Sequence, residues 1–273
     1  VMTPAARVSA AIEILDAVLD GARAETTLTR WGRANRYAGS KDRAAIGDHV
    51  FDALRQRDSA LGCAGGARTG RSLMRGILHS QGVDLDTIFS DARFAPVPLS
   101  SDERCFEQPI SDWENCDIPE WLWPHWCHSL GDQATAIAQL LQQRAPVFLR
   151  VNLLKATVDQ ACVSLSDAGY DVSPHPDVPT ALCVTGRTAG LQTTEAYVDG
   201  LIELQDAHSQ ASVTLLDPRQ NGPILDYCTG GGGKSLALAA WLGGPVHAHD
   251  VNPGRMVDLP VRAKRANAQI SSR

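Results

Sequence analysis

Apolar side chains recur every three or four positions in the N-terminal third of the chain, the spacing of one face of a helix. The pattern predicts helices over residues 5–20, 40–54 and 70–79. Gly21 stops the first helix, and Ser40-Lys41-Asp42-Arg43 opens the second. We therefore expect an all-α N-terminal domain over residues 1–90. The side chains expected to face its core are Val8, Ala11, Ile12, Leu15, Leu19, Ile46, Val50, Phe51 and Leu54.

The periodicity fades over residues 91–120, which are rich in Pro, Ser, Asp and Glu. This composition predicts a linker, which we place at residues 91–130. Four tryptophans lie in its second half: Trp113, Trp121, Trp123 and Trp126. Aromatic rings can stack on bases, but such a density is more typical of a linker packed onto neighbouring domains, and we favour packing.

Short apolar runs replace the helical spacing from Pro146 onwards. They predict strands over residues 147–151, 181–184 and 201–204, with a helix over 157–168 that Gly169 ends. Strand, helix, strand and strand indicate a small α/β module of RNA-binding type over residues 131–205. A helix over residues 205–216 then leads into the last segment, residues 206–273.

The stretch from Ile224 to Met256 carries the clearest functional pattern. A turn at Asn221-Gly222-Pro223 precedes a strand that ends at Asp226, and four glycines, Gly230 to Gly233, open a helix. A second strand, residues 246–248, leads to Asp250, which follows Gly230 by 20 positions. This layout is typical of a nucleotide-type cofactor site at the carboxyl ends of parallel strands, with the acid placed for ribose hydroxyls.

Three ligands compete for this loop. A phosphate-binding P-loop requires glycine five positions before Gly233, where this chain has Cys228. A dinucleotide loop requires glycine or alanine at position 235, which is Ser235. S-adenosylmethionine (SAM) carries no phosphate, so the loop would approach its methionine portion while Asp250 holds its ribose.

The residues from Asp226 to Lys234, DYCTGGGGK, resemble the D-x-C-A-A-P-G-G-K signature of the Sun/Fmu (RsmB-type) family of RNA 5-methylcytosine methyltransferases. Asp250 to Met256 is similar to the second motif of that family. Residues 144–152 with Lys155, and residues 200–206 with Ser209-Gln210, are similar to two further blocks. Gly231 stands where the family has proline, and Thr229-Gly230 replaces Ala-Ala. Glycine there predicts a more mobile loop and weaker cofactor affinity.

The resemblance implies a multidomain SAM-dependent RNA cytosine-5 methyltransferase acting on ribosomal RNA, with 16S ribosomal RNA as the expected substrate. Residues 206–273 would be the truncated, N-terminal part of a Rossmann-like SAM methyltransferase domain. Lys234 would cap the loop or meet the SAM carboxylate, and Asp226 would orient the loop by accepting backbone N–H bonds. The cofactor-binding residues it implies are Cys228, Thr229, Gly230, Gly231, Gly232, Gly233, Lys234 and Asp250.

Cytosine-5 methylation needs a nucleophile, for which a thiolate is well suited. Cys228 occupies a cofactor-loop position of the family, and we do not interpret it as the nucleophile. In the family the catalytic cysteines follow proline or threonine well downstream, and neither dipeptide occurs here. We therefore expect the catalytic residues beyond Arg273, only two of about seven strands within the chain, and no methyltransferase activity from this chain alone.

Two other functions remain open. A non-catalytic RNA-binding or degenerate paralogue would have a glycine loop that no longer holds SAM. A nicotinamide-dependent oxidoreductase would need a dehydrogenase-like second domain, which nothing in the sequence indicates.

The net charge of −6 argues against nucleic acid as a partner, but the charge is unevenly distributed. Residues 1–75 carry a surplus of +4, residues 76–145 of −8 and residues 146–273 of −2. A locally basic face therefore stays possible on the N-terminal domain. Its candidate RNA contacts are Arg30, Arg33, Arg36, Lys41 and Arg43, with a solvated helix surface as the equal alternative.

The cysteine spacing and the hydropathy of the chain argue against a disulfide-rich, zinc-binding, membrane or secreted protein. The seven scattered cysteines do not form a disulfide framework, and Cys105, Cys116 and Cys127 lack the C-x-x-C pair typical of zinc sites. No run of 18 apolar residues exists, so we expect no membrane span. The N-terminus lacks the pattern of a signal peptide, and we expect a cytoplasmic protein without a bound metal.

Overall fold

The structure, a computed structural model, describes residues 1–107, 111–216 and 223–272. Asn221 and Gly222 of the predicted turn lie outside these ranges. Contacts divide the chain into two compact units, residues 1–145 and residues 146–273. The four segments predicted from the sequence are a finer division, and their boundaries stay predictions.

The described residues of the first unit form helices joined by irregular segments, with no strand among them. The helices predicted near residues 5, 40 and 70 are confirmed, whereas the second and fourth helices were not predicted. Their bounds are α1 Pro4–Leu19, α2 Ala24–Ala34, α3 Ser40–Arg55, α4 Arg57–Cys63 and α5 Gly70–Ser80. Leu15, Ile46, Val50 and Leu73 are fully buried in one core. Ile12, Leu19 and Leu54 of the predicted face pack against that core while partly exposed.

Helix α5 approaches its neighbours through glycine. A Cβ added at Gly76 would overlap the carbonyl oxygen of Ala60 on α4, and one at Gly70 would overlap that of Ile12 on α1. The backbone of α5 therefore lies so close to the backbones of α4 and α1 that only glycine fits at these two positions. These two contacts hold α5 between the two helices.

Residues 91–120 are mostly irregular, as predicted. They contain the short helix α6 Asp112–Asn115 and are followed by α7 Trp123–Leu130 and α8 Ala134–Leu141. Trp123 and Trp126 pack on buried Cys116, Ile118 and Ala138, and the Trp126 indole donates to the Ala134 carbonyl at 2.9 Å. The packing role is confirmed for these two tryptophans, but Trp121 is 74% exposed.

The second unit begins with a four-stranded antiparallel sheet of order β2-β3-β1-β4. Its elements are β1 Val147–Val151, α9 Val158–Asp167, β2 Asp171–Pro174, β3 Ala181–Thr185, α10 Glu195–Val198 and β4 Ile202–Leu204. The Thr157 hydroxyl and the Gln160 side chain cap α9 reciprocally. β2 was not predicted, because Val172 is its only half-buried residue and no apolar run marks it.

A three-stranded parallel sheet of order β5-β6-β7 follows. Its segment comprises α11 Ala207–Thr214, β5 Ile224–Asp226, α12 Gly233–Leu242, β6 Val246–Ala248, α13 Leu259–Ala266 and β7 Ile270–Ser272. The prediction of only two strands was wrong: Ile270–Ser272 pairs with β6 as a third. Two serines in a three-residue strand leave no hydrophobic alternation for sequence reasoning to detect.

Candidate functional site

The glycine loop connects the carboxyl end of β5 to the start of α12. Gly230 and Gly232 have φ angles of +51° and +82°, a region that favours glycine. A Cβ on Gly232 would also overlap the buried side chain of Leu259 at the start of α13, whereas one on Gly230 would meet open space. Gly232 therefore serves both backbone conformation and close packing, and Gly230 serves conformation alone.

Asp250 lies beside this loop, at the end of the adjacent strand β6. Its Oδ2 accepts a hydrogen bond from the Gly230 N–H at 2.9 Å, and its Oδ1 accepts one from the Asn252 N–H at 2.9 Å. These two bonds, first that of Asn252 and then that of Gly230, lower the pKa of Asp250 below its usual value. A carboxylate accepts about four hydrogen bonds, so this ionised group keeps capacity for ligand hydroxyls.

A series of hydrogen-bonded polar side chains connects the loop to the strand and the helix that flank it. The Ser235 hydroxyl donates to Asp226 Oδ2 at 2.7 Å, and the Thr229 and Ser235 hydroxyls bond each other. The Thr229 N–H donates to the His249 carbonyl at 2.9 Å, which ties the loop to the end of β6. Within the described residues, Asp226 therefore contacts the loop through the Ser235 hydroxyl and not through the backbone N–H bond that was predicted.

Ser235 is a residue of the candidate site that the sequence did not predict. It entered only as the residue that breaks the dinucleotide pattern, yet it is fully buried and links Asp226 to Thr229. A polar residue at the start of an otherwise Ala/Leu-rich helix was the available signal.

Two arginines on other elements donate hydrogen bonds to backbone carbonyl groups of the loop. Arg150 on β1 donates through Nη1 to the Gly233 carbonyl and to Gln205 Oε1, both at 2.6 Å. Arg150 is 2% exposed, and burial lowers its pKa to about 10. Arg262 on α13 donates to the Gly231 carbonyl.

Glu203 on β4 joins this network from the four-stranded sheet. It is 3% exposed and accepts from Arg262 Nη2 at 3.1 Å and from Arg265. The Arg265 guanidinium also lies 4.2 Å above the Tyr197 ring. The antiparallel module and the glycine loop are thus connected by charged groups within the second unit.

Other side chains of the loop are exposed to solvent. Cys228 and Lys234 are exposed, as is Tyr227, whose ring lies 5.0 Å from that of His249. The structure brings all the sequence-predicted cofactor residues together: residues 228–234 form the loop, and Asp250 contacts its middle. In the described ranges Lys234 makes no hydrogen bond or ion pair.

Among residues 1–107, 111–216 and 223–272, no three His, Cys, Asp or Glu side chains converge as metal ligands. Within the same ranges, none of the helices combines the length and the apolar character needed to cross a membrane.

Known proteins that are similar to this chain in sequence are methyltransferases by name. The model of the RsmF/B-like methyltransferase ferredoxin-like domain matches residues 118–189. Ribosomal RNA small subunit methyltransferase B of Citrobacter koseri is 34% identical over 148 residues, which are 54% of this chain and 34% of that protein. The corresponding Salmonella arizonae protein is 33% identical over 148 residues, with the same coverage. Residues 118–189 thus match an RsmF/B-like ferredoxin-like domain, and the chain is similar to proteins named ribosomal RNA small subunit methyltransferase B.

The matched segment spans about a third of the length of these relatives. Solved structures share the fold. The crystal structure of PH0851 has a TM-score of 0.68 at 19% identity, covering 100% of this chain and 70% of that one. A methyltransferase homolog protein from Pyrococcus horikoshii has a TM-score of 0.54 at 23% identity, covering 59% and 54%. The strand order β2-β3-β1-β4 is that of a ferredoxin-like sheet, in agreement with the family model.

Proposed function

We propose that this chain is the RNA-recognising and SAM-binding part of an RNA cytosine-5 methyltransferase that acts on ribosomal RNA in the cytoplasm. The observation that carries the proposal is the contact between Gly230 N–H and the Asp250 carboxylate. It joins a glycine loop and an ionised acid at the carboxyl ends of two adjacent parallel strands, where open α/β sheets bind their ligands. The relatives named as ribosomal RNA methyltransferases support the substrate class.

The residues present fit SAM. Asp250 retains lone pairs for the two ribose hydroxyls, and the backbone of residues 230–232 is free of side chains for the methionine portion. Lys234 is exposed at the start of α12, where its ammonium group would meet the ligand carboxylate. SAM supplies the methyl group when bound; the residues described here bind and orient it.

We propose that these 273 residues do not methylate RNA by themselves. Cys228 lies in the loop that would bind SAM. The nucleophile must instead lie next to carbon 6 of the target cytosine, on the far side of the transferred methyl group from SAM. Within the described residues β5 pairs with β6 alone, so its other edge carries unpaired backbone groups, and Leu225 on this strand is 60% exposed. These features suit an edge to which further strands of a Rossmann-like domain add.

Separate titrations of SAM, NAD and a ribosomal RNA fragment test this function. We expect the chain to bind SAM and RNA and not NAD. Binding of NAD with no binding of SAM would instead support the oxidoreductase.

A degenerate paralogue is the second candidate, because Gly231 replaces a loop-stiffening proline. RNA binding without any SAM binding in the same titrations would favour it. The two candidates therefore differ in one measurable quantity, the affinity for SAM.

For RNA we propose the exposed face of α2. Thr26, Thr29, Arg30 and Arg33 line one open surface together with Glu25, so two arginines outnumber one acid there. Arg36 and Lys41 are exposed nearby, whereas Arg43 donates to the Ala38 carbonyl and packs against Gly32. Arg43 is itself exposed, so it stays among the proposed RNA contacts although its Nε is already bonded.

A further inference from the structure

The carbonyl of Gly231 is held by a side chain from another helix. Arg262 on α13 donates Nη1 to this carbonyl, and its Nη2 lies 3.1 Å from the Glu203 carboxylate. One guanidinium therefore bonds the loop through one nitrogen and the sheet through another. Gly231 is also the residue that stands in place of the proline in the resemblance to the Sun/Fmu signature.

The acid behind Arg262 is itself fixed. Glu203 is 3% exposed on β4, and Arg265 bonds its second oxygen. β4 pairs with β1, from which Arg150 reaches the Gly233 carbonyl at 2.6 Å. Two carbonyls of the glycine loop, at positions 231 and 233, are thus held by groups that the four-stranded sheet positions.

We propose that Arg262 and Glu203 are positioning residues that hold the glycine loop in its SAM-binding conformation, replacing the rigidity that a proline ring would supply. The inference rests on the proposed function. A proline restricts the backbone covalently, whereas Arg262 restricts it by a hydrogen bond from outside the loop. The planar guanidinium suits this task because its fixed nitrogens reach a carbonyl and a carboxylate at once, which the single ammonium of lysine does not.

The first test needs no ligand. Amide hydrogen exchange of residues 227–238 is measured in the wild-type chain, in Arg262→Gln and in Lys264→Gln. Lys264 is the matched control because it is exposed on the same helix and its substitution removes the same charge. We expect faster loop exchange in Arg262→Gln alone, with exchange in α3 unchanged. Equal loop exchange in the three proteins would overturn the proposal.

The second test measures SAM affinity by calorimetry. Arg262→Gln should weaken binding about tenfold to a hundredfold, the effect of losing one charge-assisted hydrogen bond. Arg262→Lys should not restore it. Gly231→Pro should restore affinity in the Arg262→Gln background more than it changes the wild-type chain, since Gly231 does not have a positive φ.

The outcomes separate the two proposals. If the wild-type chain binds no SAM, the proposed function fails, and loop exchange still decides whether Arg262 positions the loop. If SAM binds equally to wild type and Arg262→Gln, the positioning role is wrong while the function stands. A merely structural role would lower the melting temperature without rescue of affinity by proline, and that result also overturns the proposal.

Discussion

At the residue scale, buried polar side chains shape the candidate site. Ser235, Arg150 and Glu203 are each at most 3% exposed and each has a hydrogen-bonded partner. Burial of such groups costs free energy unless they are paired, so their partners dictate the loop geometry. The sequence predicted the loop and Asp250 from spacing alone. It could not identify Arg150, Glu203 or Arg262 as loop supports, because their partners lie 31 to 83 positions away.

Asp250→Asn should weaken SAM binding by at least about tenfold, because the ribose loses a charged acceptor and the amide donates where an acceptor is needed. Calorimetry on the whole chain gives the affinity, and a thermal melt shows whether the loop still folds. Asn252→Ala, which keeps the backbone N–H that donates to Asp250, is the matched control. Unchanged SAM affinity in Asp250→Asn would contradict the assignment.

Glu103 is a second residue with a measurable electrostatic role. The Arg71 guanidinium bonds it at 2.6 and 3.0 Å and lowers the pKa of Glu103 to about 2. Because the folded-state pKa lies below the usual value of 4.5, the pair stabilises the fold above pH 4.5. This contribution is lost as the pH falls from 4.5 to about 2.

Urea unfolding of wild type and Glu103→Gln measures that effect. The variant should be about 1 kcal/mol less stable at pH 7, with a difference that shrinks only below pH 4.5. A difference that is constant between pH 7 and pH 3 would assign the loss to packing instead of charge.

At the element scale, periodicity predicted the long helices because each has a buried face of several turns. It missed α2, where only Thr27, Trp31 and Gly32 are buried, and α4, which has seven residues. The sequence did not predict β2 and β7 for a related reason, since each strand has a single half-buried apolar side chain. Short elements depend on pairing with neighbours that are distant in sequence, and pattern reasoning does not see those neighbours.

Helix α5 offers a sharp test of the glycine packing. Gly76→Ala should destabilise the chain by about 2 kcal/mol or more, because a Cβ would overlap the Ala60 carbonyl. Gly47→Ala on α3 is the control, since its Cβ would meet nothing within 4 Å, and it should stabilise by about 0.5–1 kcal/mol. Chemical unfolding gives both values. Equal effects of the two substitutions would contradict the packing of α4 and α5.

The basic face of α2 is tested by salt dependence. Arg30→Gln with Arg33→Gln should weaken binding of a ribosomal RNA fragment and lower the slope of log K against log salt by about one per lost phosphate contact. Arg104→Gln is the control, because Arg104 pairs with Asp86 at 2.7 Å. A double variant with wild-type affinity and slope would leave α2 as a solvated helix.

At the scale of the whole molecule, the order of segments could be predicted from the sequence. A helical beginning, an α/β module and a glycine loop between parallel strands follow from periodicity and spacing. The connection between module and loop could not be predicted, because it depends on charged side chains that sequence patterns assign to solvent. Arg150, in the middle of a predicted strand, shows this most clearly, since it is 2% exposed.

Methyl transfer by the chain is the corresponding activity test. With labelled SAM and cytosine-containing ribosomal RNA, we expect no transfer above background from the 273 residues, because the thiol of the loop, Cys228, is assigned to the cofactor and not to the target base. Turnover that depends on both RNA and SAM would contradict this expectation. A Cys228→Ala variant would then show whether the loop thiol takes part.

The most direct measurement is a crystal structure of the chain soaked with S-adenosylhomocysteine, the demethylated form of SAM. We predict ribose hydroxyls within hydrogen-bonding distance of the Asp250 carboxylate and the amino-acid portion against the backbone of residues 230–232. A ligand bound elsewhere, or a loop that stays empty at saturating ligand, would contradict it.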